Sequence, residues 1–111
     1  MDFKNVKIPR TAIAFGSADT TKDYNFTLDI FKYTTNLILI ELPNFTNAVT
    51  AQVQLINSDD NELYSISTLA KNAKHVLIVA RPLVGNEKIT VTLSGEPGGS
   101  GGTIYITMYL N

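Results

Sequence analysis

Residues 88–110 read KITVTLSGEPGGSGGTIYITMYL, two alternating runs separated by a glycine-rich segment. Ile89, Val91 and Leu93 alternate with Lys88, Thr90, Thr92 and Ser94. Ile104, Ile106, Met108 and Leu110 alternate with Thr103, Tyr105, Thr107 and Tyr109. A period of two, written in β-branched and aromatic residues, marks half-buried strands. Five of the seven glycines lie between Gly95 and Gly102, and glycine supplies the positive φ that turns need. The segment GEPGGSGG is therefore expected to be a hairpin loop. A phosphate-binding loop would need Lys and Ser or Thr after its last glycine, then a helix whose first amides hold the anion. Here Thr103 opens a strand, which argues against both the P-loop and the dinucleotide fingerprint.

Other segments repeat the pattern. Phe26, Leu28 and Ile30 share one strand face opposite Asn25, Thr27 and Asp29. Val49, Ala51, Val53 and Leu55 share another opposite Thr50, Gln52 and Gln54. The turn-rich tip NSDDNE (57–62) leads into a return strand at Leu63, Tyr64 and Ile66, and Thr11 to Phe15 forms a strand after Pro9. Leu37 to Ile40 and Val76 to Ala80 are apolar on both faces, so each is expected to be covered on both sides. Only STLAKNA (67–73) has the composition of a short helix, with Ser67 or Thr68 as cap and Asn72 near its end. Seven or eight short strands with turns between them predict an all-β protein: an antiparallel β-sandwich, jelly-roll-like or Ig-like. Residues 1–10 are expected as an extended N-terminal arm and residues 11–111 as the sandwich domain.

Composition narrows the function classes. A chain of 111 residues suits one hydrophobic core. It is 44% hydrophobic and 17% charged, which argues against disorder. Nine basic and ten acidic residues leave a net charge of -1, so no global field favours nucleic acid or a membrane. No cysteine is present, hence no disulfide framework. The start MDFKNVKIPR has no apolar signal region, and VLIVA is too short to span a bilayer. The two NFT sequons, at Asn25 and Asn44, are read as coincidence. Synthesis in the cytoplasm is expected.

Charge is absent from Leu42 to Ser58 and again from Pro97 to Asn111. Strand faces that carry Thr, Gln, Asn and Tyr in place of Lys and Glu are open to association unless something covers them. Thr90, Thr92, Thr103, Tyr105, Thr107 and Tyr109 are expected to form one flat amphipathic patch suited to a subunit interface. The plainer reading is that Thr and Tyr simply favour strands. In the arm, Phe3, Val6 and Ile8 are candidate anchors on a neighbouring subunit, beside Lys4, Lys7 and Arg10.

Catalytic chemistry has thin support. His75 is the single histidine, without HxH or HExxH spacing. Asp59, Asp60 and Glu62 lack the glycine and distal glutamate of a calcium loop. Asp29 and Glu41 would resemble a glycosidase pair only at the right separation, and no serine sits in a GxSxG elbow. No enzyme, no cofactor and no metal site is expected.

The segments RPLVG (81–85) and ITVTLSGEPGGSGGTIYITMYL (89–110) resemble the closing hairpin of small β-sandwich virion proteins of tailed bacteriophages, including head decoration and minor structural proteins. The resemblance covers Arg81 to Leu110 and carries no catalytic residues. It implies a structural subunit in a virion, acting through contacts with itself and with a major capsid or other lattice protein, without nucleic acid or membrane. The competing expectation is a carbohydrate-binding module presenting Tyr24, Tyr33 or Tyr64, although no tryptophan is available for sugar stacking. A tail-type adaptor or receptor-binding domain is a third.

Overall fold

The fold is seen in a computed structural model, which describes residues 6–26, 33–84 and 86–111. Among the described residues, nine strands run in the order β1 (Val6–Phe15), β2 (Thr21–Asn25), β3 (Tyr33–Leu42), β4 (Thr50–Ile56), β5 (Glu62–Ala70), β6 (Ala73–Ile78), β7 (Pro82–Leu83), β8 (Lys88–Leu93) and β9 (Gly102–Leu110). They form two antiparallel sheets. One has the order β1-β9-β3-β6, with the two-residue β7 also on β3; the other has the order β2-β8-β4-β5. The expected all-β sandwich is the fold found.

The pairings β1·β9, β2·β8, β3·β6 and β4·β5 are nested, first strand with last and so inward. That is a long antiparallel ribbon rolled into two layers, the jelly-roll arrangement. Four connections cross between the sheets at one end: residues 16–20, 43–49, 71–72 and 94–101. The loops are tied to one another there, Gly98 N donating to Ser17 O, Asn47 N to Pro97 O and Asn72 N to Pro43 O.

This topology corrects the expected hairpin. β8 and β9 lie in different sheets, so GEPGGSGG bridges the two layers instead of reversing the chain within one. Positive φ at Gly98, Gly99 and Gly101 still shapes the loop. At Gly101 there is a second reason for glycine, because a Cβ would run into the carbonyl of Phe15.

The core lies between the layers. Ile38, Ile40, Ile104, Ile106 and Met108 from one sheet meet Val53, Leu55, Ile89 and Val91 from the other, all fully buried. Each such side chain contributes about 1.5–3 kcal/mol on leaving water. Phe45 and Phe15 close the loop end edge to face, ring centroids 6.4 Å apart.

Three further expectations change. STLAKNA is not helical: β5 continues to Ala70, Lys71 and Asn72 turn the chain, and β6 starts at Ala73. Asn72 adopts φ 56°, which ends a strand but propagates no helix. Lys71 Nζ holds the turn by donating to the carbonyls of Phe45 and Asn47, at 2.6 and 3.1 Å. The strand at 76–80 is not covered on both sides, since Leu77 and Val79 are buried while Val76 and Ile78 are exposed. Val6 to Arg10, expected in the arm, lie within β1 and pair with β9 at Val6, Lys7 and Ile8. Leu28, Ile30 and Asp29 fall outside the described residues.

Candidate functional site

The outer face of the β1 sheet is built as a grid, because antiparallel register places every second residue of each strand in line with its neighbours. One row across β6, β3 and β9 is Ile78, Leu37 and Tyr109. The next is Val76, Leu39 and Thr107, and the third is Lys74, Glu41 and Tyr105. Neighbouring strands stand about 4.8 Å apart, so the first two rows make a continuous apolar surface. Ile78 is 74% exposed, Val76 60% and Tyr109 36%, and Leu37 and Leu39 are half-buried. Thr107 is 4% exposed, enclosed in register between Leu39 and the bulge in β1.

That bulge lies between Ile8 and Thr11, at Pro9 and Arg10. Proline cannot donate to a ladder and is tolerated on an edge strand or at a bulge. The irregularity carries Arg10 over its neighbours. Its guanidinium stands 3.5 Å from the ring centroid of Tyr105, and its Nε donates to Glu41 Oε2 at 2.8 Å. Lys74 Nζ approaches Glu41 Oε1 at 3.7 Å from the other side, and Lys7 Nζ lies 5.6 Å from the Tyr109 ring. The Arg10 hydrogen bond, the dominant cause, holds the Glu41 carboxyl below its ordinary value; the same contact raises Arg10. Among the described residues, three cations and one carboxylate give this face a surplus of two positive charges, against -1 for the whole chain.

A shallow depression of about 290 Å³ adjoins the third row, lined by Glu41, Lys74, Asn72, Thr103 and Tyr105 among others. Its one carboxylate is already paired with two cations. Asp29, the second member of the acid pair considered from sequence, falls outside the described residues.

The expected patch is divided by the fold. Thr103, Tyr105, Thr107 and Tyr109 are together on the β1-sheet face. Thr90 and Thr92 sit on β8, on the outer face of the other sheet and on the far side of the sandwich. There Thr90 Oγ1 donates to Asp23 Oδ1 at 2.7 Å, Gln54 Nε2 to Glu62 Oε1 at 2.8 Å and Gln52 Nε2 to Ser65 Oγ at 3.4 Å. This is a polar face whose side chains bond laterally to one another. Phe3 and the side chain of Val6 fall outside the described residues. Ile8 is half-buried and packs against the core.

Val76, Ile78, Leu37 and Leu39 were the residues missed. Their signal was present in the two strands apolar on both faces. A two-layer sandwich has no third layer to cover such strands from within the described chain. Among the tyrosines considered for sugar, Tyr33 is buried. Tyr24 and Tyr64 are half-buried against the core, Tyr24 with its ring 5.8 Å from that of Phe26. His75 Nε2 lies 2.8 Å from the Ala70 carbonyl. The tip at Asp59 and Asp60 is a compact turn in which Asn57 Oδ1 accepts from the amides of Asp59 and Asn61. Among the described residues, no three His, Asp or Glu side chains come together as a metal site.

No protein-family model and no curated protein matches this chain. Solved structures are similar in fold. The C-terminal domain of EclA, a sugar-binding protein, aligns over 95% of this chain and 79% of its own, at 15% identity and a TM-score of 0.43. The VP2 subviral particle of infectious bursal disease virus aligns over 96% of this chain, at 12% identity and a TM-score of 0.41. A structure of carbohydrate-binding modules from the β-sandwich superfamily aligns over 97%, at 10% identity and a TM-score of 0.44. The chain spans 32% of the VP2 chain and 56% of the carbohydrate-binding one. These are likenesses of architecture between proteins of different roles, and a fold hosts many functions.

Proposed function

We propose that this β-sandwich is a non-enzymatic structural assembly protein, a capsid decoration or minor structural subunit of a virion. It works through contacts of its β1-sheet face with copies of itself and with a lattice protein. One observation carries this reading: Val76 and Ile78 stand exposed beside Leu37, Leu39 and Tyr109, so aliphatic and aromatic side chains form a contiguous surface. Single exposed apolar residues are ordinary, but a contiguous patch marks an interaction site. Its composition also fits, with an apolar, aromatic centre and charges at its edges, Lys7 beside Tyr109 and Arg10, Glu41 and Lys74 along the third row. The tail-type adaptor reading needs the same face and a different partner. The carbohydrate-binding reading is weaker, since Tyr33 is buried and Tyr24 and Tyr64 are half-buried against the core.

The test is Val76→Lys with Ile78→Lys, followed by light scattering across a range of protein concentration. Both side chains are exposed, so the thermal transition is expected to stay where it is while self-association is lost. A wild-type protein that remains monomeric and binds no particle, or association indifferent to the two lysines, would overturn the reading.

A further inference from the structure

We infer that β6 is a self-pairing edge, on which a second copy of this chain lays its own β6 antiparallel and continues the β1 sheet across a two-fold axis. This rests on the assembly reading and specifies the contact through which copies meet.

The first ground is how the sheet edges are protected. An exposed strand edge pairs with other chains unless it is blunted. β1 carries Pro9 and its bulge. β2 is five residues long and bears Lys22 and Asp23. β5 is stapled from the opposite sheet, Arg81 Nε donating to Leu63 O and His75 Nε2 meeting Ala70 O, both at 2.8 Å. β6 has Lys74 as its one charged outward side chain, followed by the exposed Val76 and Ile78.

The second ground is which backbone groups that edge offers. On β3 the outward Thr34 exchanges hydrogen bonds with Asn111 on the β9 side, while the inward Thr35 donates to Arg81 O on the side of β6 and β7. Inward residues of β3 therefore aim their amides at β6, where their partners are Ala73, His75 and Leu77. Val79, also inward, keeps the pattern by donating to Asn36 O at 3.4 Å. Alternation along an antiparallel strand then turns the N–H and C=O groups of Lys74, Val76 and Ile78 toward the free edge.

The third ground is charge. Stacking two copies face to face would bring their cationic surpluses together. Edge pairing centred on Val76 sets it against Val76 of the second copy, and Lys74 against Ile78, with no like charges opposite. Seven strand spacings, about 34 Å, then separate the two β1 strands with Lys7 and Arg10. That is well beyond the screening length of about 8 Å at physiological ionic strength. The apolar rows of both copies join across the seam.

The experiment is sedimentation equilibrium combined with amide hydrogen exchange on the full chain. A reversible dimer is expected, with exchange at Lys74, Val76 and Ile78 slowing at least about tenfold as concentration rises. Val76→Pro removes an N–H that the β3 ladder does not use, and should weaken dimerisation by about tenfold or more. Val76→Thr, which keeps that N–H, should stay within about threefold of wild type. If the proline variant misfolds by circular dichroism, exchange on the wild type decides. Association without protection of these three amides overturns edge pairing and leaves the face reading standing. A monomer at every concentration, with particle binding that Val76→Lys/Ile78→Lys abolishes, overturns the edge alone; a monomer without such binding overturns both.

Discussion

The Arg10 guanidinium stands over the Tyr105 ring, 3.5 Å from its centroid, while its Nε donates to Glu41. One side chain thus ties three strands together, from the edge strand β1 across β9 to β3. The bulge at Pro9 and Arg10 makes the reach possible, since a regular register would seat Arg10 beside one neighbour only. The result is a face whose apolar rows end at a fixed charged border.

Acid should loosen this border. Glu41, held low chiefly by the Arg10 hydrogen bond, has an ordinary value of 4.5; Asp19, held low chiefly by the Gly16 amide and then by Lys22, has one of 3.8. Both groups are depressed in the folded state. Their stabilisation is therefore present above those ordinary values and is lost as pH falls through the lower folded ones. Melting temperature measured from about pH 6 down to about pH 2 should fall for the wild type. Glu41→Gln should show a shallower fall, and identical slopes would count against the Glu41 contribution.

Gly101 tests the loop that joins the sheets. With φ at 71° and the Phe15 carbonyl where a Cβ would go, alanine is opposed by both conformation and space. Gly101→Ala should cost at least about 2 kcal/mol, read as a lower urea midpoint with an unchanged slope. Gly95, whose nearest contact would be an ordinary 3.8 Å to Val49, should accept alanine with far less loss.

Tyr109 separates folding from association better than Tyr105 does. Tyr105 sits under Arg10, so a lysine there would repel the guanidinium and disturb the sheet. Tyr109 is partly exposed, with Lys7 at 5.6 Å. Tyr109→Lys should leave circular dichroism unchanged and weaken self-association. Tyr109→Phe, which keeps the ring, should preserve it.

A half-buried strand was readable where it writes its burial as a period of two, as at Ile104, Ile106 and Met108, whereas β2 and the end of β5, over 67–70, carry no such run and were missed. Sheet membership was not readable. Ile89 and Ile104 carry the same pattern whether their strands are neighbours in one sheet or face each other across the core. Only long-range pairing, β8 with β2 and β4, and β9 with β1 and β3, decides between them. That ambiguity is why Thr90 and Thr92 were grouped with Tyr105 and Tyr109. The apolar character of Val76 and Ile78 was equally plain, but its exposure depends on β6 being an edge. The Arg10–Glu41 contact bridges 31 positions, and no local spacing announces it.

Thr68 is the remaining conformational oddity. Among the described residues, three other than glycine have positive φ: Asp60, Asn72 and Thr68. Asp and Asn tolerate the left-handed region through their short polar side chains, whereas a β-branched residue is strained there by roughly 1–2 kcal/mol. Thr68 lies in β5 where the register with β4 shifts between Ala51 and Val53, and its side chain is exposed. Replacing it removes strain without opening the core. Thr68→Asn should therefore raise stability by about 0.5–1 kcal/mol, seen as a melting temperature a few degrees higher. Thr68→Gly should gain less, because glycine adds freedom to the unfolded chain. Thr68→Val, equally branched but without the hydroxyl, should show no gain. A stabilised valine variant would mean that the hydroxyl, not the backbone, is what disfavours threonine at this bulge.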